Sequence, residues 1–141
     1  MKKILVLMLA LVMVFAVCSL TACGEKTYTG EVTYTAWGTP YGAKVDVTVK
    51  GDKVTAVKLY TDEESGYVRT SPSWEGFATT EAAYEEFVNK FVGMTVADVL
   101  AIEATATAEG QTVTTEGWSI TGATQSAARI IVAVQNALAN A

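Results

Sequence analysis

Ten residues in the middle of the chain do most to limit its fold. Between Tyr41 and Lys50, the side chains of Tyr41, Ala43, Val45, Val47 and Val49 alternate with Lys44, Asp46, Thr48 and Lys50. A period of two puts the apolar set on one face of a strand and the polar set on the other, which a helix of 3.6 residues per turn cannot do. The neighbouring stretches read the same way. Tyr28, Val32, Tyr34 and Ala36 alternate with Thr29, Glu31, Thr33 and Thr35, and Gly38-Thr39-Pro40 is expected to break that run. Gly51-Asp52 sits where a two-residue hairpin turn with positive φ at its first position would go. A third run follows from Lys53 to about Tyr60, with Val54, Ala56, Lys58 and Tyr60 set against Thr55, Val57 and Leu59. Three such runs predict an antiparallel meander with one buried face.

The period then changes. Thr61 to Ala78 reads as an irregular loop, acidic at Asp62-Glu63-Glu64-Ser65-Gly66 and punctuated by Pro72, Trp74 and Gly76. Helical spacing starts near Glu81, where Tyr84, Phe87, Val88 and Phe91 fall at i, i+3, i+4 and i+7, with Gly93 placed to end it. Thr95 is a good N-cap for a shorter helix, with Asp98 in the first turn. Ala104 to Trp118 is Thr-rich and aperiodic, with one strand expected around Thr112-Val113-Thr114. The last helix is expected from about Ala123 to Asn140, its apolar stripe made by Ala127, Ile130, Ile131, Val134 and Leu138. The expected class is therefore α+β: an antiparallel β-sheet meander packed with helices and ending in a long C-terminal helix.

The first two dozen residues follow other rules. Met1-Lys2-Lys3 is a short positive segment, Ile4 to Val17 is an unbroken apolar run, and small residues lead to Cys23. That is the layout of a signal peptide, and the run is short of the roughly 20 apolar residues of a membrane span. Leu20-Thr21-Ala22-Cys23 resembles the lipobox of bacterial lipoproteins. The resemblance implies cleavage before Cys23, lipid on that cysteine, and a protein held at the extracytoplasmic face of the cell membrane by its acyl chains. The expected organisation is a signal peptide over 1–22, a lipidated N-terminus and tether over 23–27, and a domain over 28–141.

Removing 22 of 141 residues takes two of the ten basic residues with it and leaves 8 positive against 15 negative charges, net −7. An acidic domain with no basic stripe argues against nucleic acid as a partner. Cys18 leaves with the signal, so the mature chain has a single cysteine and no intramolecular disulfide. It also has no histidine, which removes His-dependent triads and the commonest zinc sites. No nucleophile–base pair or metal cluster is legible, so any redox chemistry is expected from a bound organic cofactor.

The informative stretch is Thr121-Gly122-Ala123-Thr124-Gln125-Ser126, at the start of the last helix. Gly122 permits a tight turn, Ala123 leaves room beside it, and Thr124 falls in a first turn whose free N–H groups favour a phosphate. The same residues also read as a simple helix cap.

Order along the chain adds to this reading. Val47 and Lys50-Gly51-Asp52-Lys53-Val54 come first. Phe87-Val88-Asn89-Lys90-Phe91-Val92-Gly93 follows, then Gly-Ala-Thr and an Ala/Ile/Val helix. From Tyr28 to Ala141 this resembles the FMN-binding domain of the C subunit of sodium-translocating NADH:quinone reductase, the G subunit of the Rnf complex, and many small surface lipoproteins. The resemblance implies FMN joined by a phosphoester to Thr124, with Thr121, Gly122, Ala123 and Ser126 at the remaining motif positions. A separate magnesium-dependent flavin transferase would attach it, and membrane redox proteins would exchange electrons with it. The protein would then be an electron carrier rather than a stand-alone enzyme. Where the motif has aspartate, this chain has Trp118, with Glu116 nearby. A flavin-less interaction lipoprotein of the same fold, or one holding a planar ligand non-covalently, therefore stays open. Trp37, Trp74 and Trp118 each read as a core or loop aromatic or as a platform for the flavin ring. Glu63 and Glu64 read as a paired-carboxylate site or an exposed acidic loop. Arg69 reads as a phosphate partner or a surface ion pair.

Overall fold

The protein's structure, a computed structural model, describes residues 24–69, 77–120, 123–139 and 141. The expected signal peptide, Cys23, Pro72, Trp74, Gly76, Thr121 and Gly122 lie outside the described residues.

The expected meander is present. Strands β1 (Lys26–Ala36), β2 (Thr39–Lys50) and β3 (Lys53–Leu59) form an antiparallel sheet in the order β1-β2-β3. The first strand begins two residues earlier than the alternation suggested. The break after it is the two-residue turn Trp37-Gly38, enclosed by the Ala36–Thr39 pair. Pro40 does not end a strand. It lies inside β2 opposite Thr35, where β3 does not reach, so its missing N–H costs no bond to a third strand.

Across β2 the pattern holds from Ala43 on: Ala43, Val45, Val47 and Val49 are buried, while Tyr41 is half-buried and Gly42 is buried on the opposite parity. On β3 a bulge intervenes. Val49 pairs with Val54 but Thr48 with Ala56, leaving Thr55 as the extra residue. The slip lets Val54 and Val57 both turn to the core while Ala56 and Lys58 stay exposed, which strict alternation would forbid.

Among the described residues four helices follow. The acidic stretch expected as a loop holds a single-turn helix, α1 (Asp62–Ser65). The Thr61 hydroxyl accepts from the Glu64 N–H, the Glu64 carboxylate accepts from the Thr61 N–H, and Gly66 closes the turn at φ +79°. After it, Tyr67-Val68 runs beside β2, with the Gly42 N–H donating to the Val68 carbonyl (3.1 Å) and the Val68 N–H to that of Pro40 (2.9 Å).

Helix α2 (Phe77–Asn89) starts four residues before the expected point and buries Tyr84, Phe87 and Val88. Gly93, at φ +90°, then brings the chain back to β3, where the Gly93 N–H donates to Val54 and the Val54 N–H to Met94. Helix α3 (Val96–Leu100) is capped by Thr95 as expected, its hydroxyl accepting from the Asp98 N–H at 3.1 Å. The Thr-rich stretch is not aperiodic. Strands β4 (Ala104–Thr107) and β5 (Gly110–Val113) form a separate hairpin against the last helix.

Helix α4 (Thr124–Leu138) covers β1 and β2. Its stripe of Ala127, Ile130, Ile131, Val134 and Leu138 is buried against the valines of β2, each of the larger side chains contributing about 1.5–3 kcal/mol. Close approach to β1 depends on Gly30, where a Cβ would stand 2.2 Å from the Ala133 carbonyl oxygen and 2.3 Å from the Ala137 nitrogen. Gln135 ties α4 to the end of α3, its amide donating to the carbonyls of Val99 (3.1 Å) and Ile102 (2.7 Å).

Candidate functional site

The first residue of α4 is Thr124. Its N-cap is Ala123, buried and without a side chain able to bond the first-turn amides. The Thr124 side chain is exposed, and no hydrogen bond to its hydroxyl forms among the described residues. Ala123 thus offers no side-chain cap to a first turn that lies at the positive end of the helix dipole, an arrangement suited to an anion.

Ser126 faces the other way. It is buried, and its hydroxyl donates to the Arg69 carbonyl at 2.9 Å. One turn on, Arg129 is also buried and donates from Nη1 to the same carbonyl and from Nε to the Tyr34 hydroxyl at 2.6 Å. The guanidinium lies over two rings, 5.5 Å from the centroid of Tyr34 and 5.0 Å from that of Tyr41, which themselves stack across β1 and β2 at 6.1 Å.

Arg69 is not on the surface as its ion-pair reading supposed. It is buried, with Nε 2.7 Å from Asp62 and Nη2 2.8 Å from Glu81. Burial pulls its pKa down, but the two carboxylates outweigh that and hold the guanidinium above its ordinary value. No carboxylate pairs directly with Arg129 among the described residues.

Tyr84 completes the cluster beneath Arg69, whose guanidinium carbon is 5.2 Å from the ring centroid. Burial raises the Tyr84 pKa, with Ser126 and the two arginines pulling the other way. Its hydroxyl is buried without a hydrogen-bond partner among the described residues.

Trp118 belongs to a different neighbourhood. Half-buried, it packs 4.8 Å from Phe91 and edge-on to Phe87 at 5.8 Å, with the Lys90 ammonium 4.5 Å over its ring and bonded to the Gly117 carbonyl. Glu63 and Glu64 are exposed, and Glu64 serves the α1 capping box and faces Lys58 at 3.7 Å. No metal-binding group of His, Cys, Asp and Glu occurs among the described residues.

Arg129, Tyr34, Tyr41 and Tyr84 were not singled out by sequence. Arg129 left a trace there, a charge inside the apolar stripe between Ala128 and Ile130 and one turn after Ser126. Comparison with protein-family models, curated proteins and solved structures finds no match.

Proposed function

We propose that the protein is a membrane-tethered flavin carrier, with FMN phosphoester-linked to Thr124 and lipid on Cys23. The observation that carries the reading is the exposed Thr124 hydroxyl at the head of an uncapped fifteen-residue helix. A phosphate on that oxygen would lie at the positive end of the helix dipole without displacing a cap from Ala123, whose small buried side chain keeps the approach clear. The residues present therefore fit the group. FMN supplies reversible electron transfer when bound. The chain's own part is to orient the phosphate and hold the helix end rigid through Ser126 and Arg129.

Intact-mass measurement of the mature protein, purified from a host supplying flavin and the transferase, tests this. The expected result is one added FMN moiety in a yellow protein whose colour survives denaturation, and its loss in Thr124→Ala. A colourless wild-type protein overturns the reading. Membrane attachment is tested separately. Cys23→Ala should abolish the acyl mass and release the domain from the membrane fraction. No helix among the described residues is long and apolar enough to cross a membrane.

A second reading is favoured by one observation. Where the resembled motif has an acid, Trp118 is packed on Phe87 and Phe91. A flavin-less interaction lipoprotein follows if the transferase needs that acid. Flavin attached in Trp118→Asp but not in the wild type would establish it.

A further inference from the structure

Trp37 is the largest exposed apolar side chain among the described residues, at 93% of its full accessibility. It occupies the first position of the β1–β2 turn with φ +50°, and Gly38 follows at φ +75°. Two positive φ values in a two-residue hairpin describe a type I′ turn, which favours Asn or Asp at the first position and Gly at the second. A bulky residue there is strained, and an exposed indole forfeits the gain of burial. The ring makes no aromatic or cation contact within the domain among the described residues. The fold thus bears two costs at Trp37 without using the side chain, the pattern expected where strain serves a site.

The packing of α4 tells which site is near. Asn136 donates to the Glu31 carbonyl at 2.8 Å, and Arg129 bonds Tyr34. Moving back seven residues on the helix, about 10 Å, advances three residues on the strand, also about 10 Å. Helix and strand therefore run antiparallel and nearly aligned. Five more residues back along α4 reach Thr124, about 7.5 Å further on and level with Ala36 and Trp37. The strained turn and the uncapped helix start share one end of the molecule. Between Val32 and Ala43 there is no charged residue, in a chain carrying 15 acids and 10 bases.

We propose that Trp37 is the stacking platform for the isoalloxazine ring of the FMN carried on Thr124. This rests on the flavin reading above and adds to it the group that receives the ring. The indole offers a planar, uncharged face suited to offset stacking. Its exposure leaves that face open.

The test is flavin emission from the full-length, flavin-loaded protein. Stacking on indole quenches flavin fluorescence, so Trp37→Ala and Trp37→Asn should raise the yield several-fold at unchanged intact mass. Trp118→Phe should not. Trp37→Asn also installs the favoured turn residue, so its thermal midpoint should hold or rise, which separates lost stacking from lost folding. Equal yields in the wild type and Trp37→Asn, with flavin present by mass, overturn the platform. If no flavin is attached, the Thr124 reading fails on its own, and a titration with riboflavin, which lacks the phosphate, decides the platform. Quenching of indole emission that disappears in Trp37→Asn keeps it. Absence of such quenching overturns it. So does a Trp37-dependent blue shift on phosphatidylcholine vesicles without riboflavin quenching, which would make a bilayer interface the occupant.

Discussion

At its C-terminal half, α4 lies on β1 through Ala133 and Ala137, which close on Gly30 so tightly that no side chain fits between them. In its N-terminal half the same helix holds the sheet with Ser126 and Arg129, bonded to one carbonyl and one phenol and overlying two stacked rings. The first contact is made of backbone proximity and apolar area, and it tolerates no added volume. The second buries charge, which costs desolvation and gives direction in return. The difference teaches where this domain spends rigidity. Apolar burial runs along both halves, and the added polar contacts fix the helix end that presents Thr124.

Adding volume at the apolar contact should do the most damage. Gly30→Val is expected to cost about 3 kcal/mol or more, because backbone atoms rather than flexible side chains block the new Cβ. Urea unfolding checks this, and a loss below about 1 kcal/mol would mean the two surfaces are not in contact. Next comes the polar half. Arg129→Met should cost about 2 kcal/mol, since the Arg69 carbonyl and Tyr34 hydroxyl lose a charged donor. No loss at all would show that the network is dispensable and that apolar packing holds both halves.

Tyr84→Phe sharpens the contrast from within the polar cluster. Removing a buried hydroxyl that makes no bond should be neutral or stabilising by up to about 1 kcal/mol. Its pH dependence has a definite sign. The phenol's folded pKa is raised above 10.0, chiefly by burial, so its contribution is complete below the unfolded value and is lost as pH climbs through the folded one. The wild type should therefore lose stability above about pH 10 more steeply than Tyr84→Phe, as thermal melts across that range would show. The smallest effect is expected at the turn. Trp37→Asn should gain about 0.5–1 kcal/mol by relieving the positive φ, whereas Asp52→Asn in the other turn should change little.

Much of this was legible. The alternation from Tyr41 to Val49 specifies the central strand and its buried face, and Gly51-Asp52 is a turn both in pattern and in structure. The stripe on α4 and the Thr95 cap were likewise readable, because each rests on local chemistry. What escaped was local chemistry overridden or disguised. Trp37-Gly38 carries half of a familiar turn signal, and the eye goes to Pro40 instead. The α1 capping box hides in an acidic run that reads as solvated loop. Ala104–Thr107 alternates between residues too alike in polarity to show a period. At the candidate site, the position of Thr124 at the helix start was readable from Gly-Ala-Thr. The Arg129–Arg69–Tyr84 cluster was not, since it joins residues up to 60 positions apart.

The pairing of β1 with α4 also sets an order of events. These are the first and last described elements, and their polar contacts span 105 residues at Glu31–Asn136 and 95 at Tyr34–Arg129. While the chain is being made, the meander has nothing to cover Val45 and Val47 until residues 127–138 emerge. Closure then depends on long-range loop formation, which slows folding relative to domains built from local contacts. A polypeptide whose first strand is latched by a residue 105 positions further on stays threadable until that residue has been made.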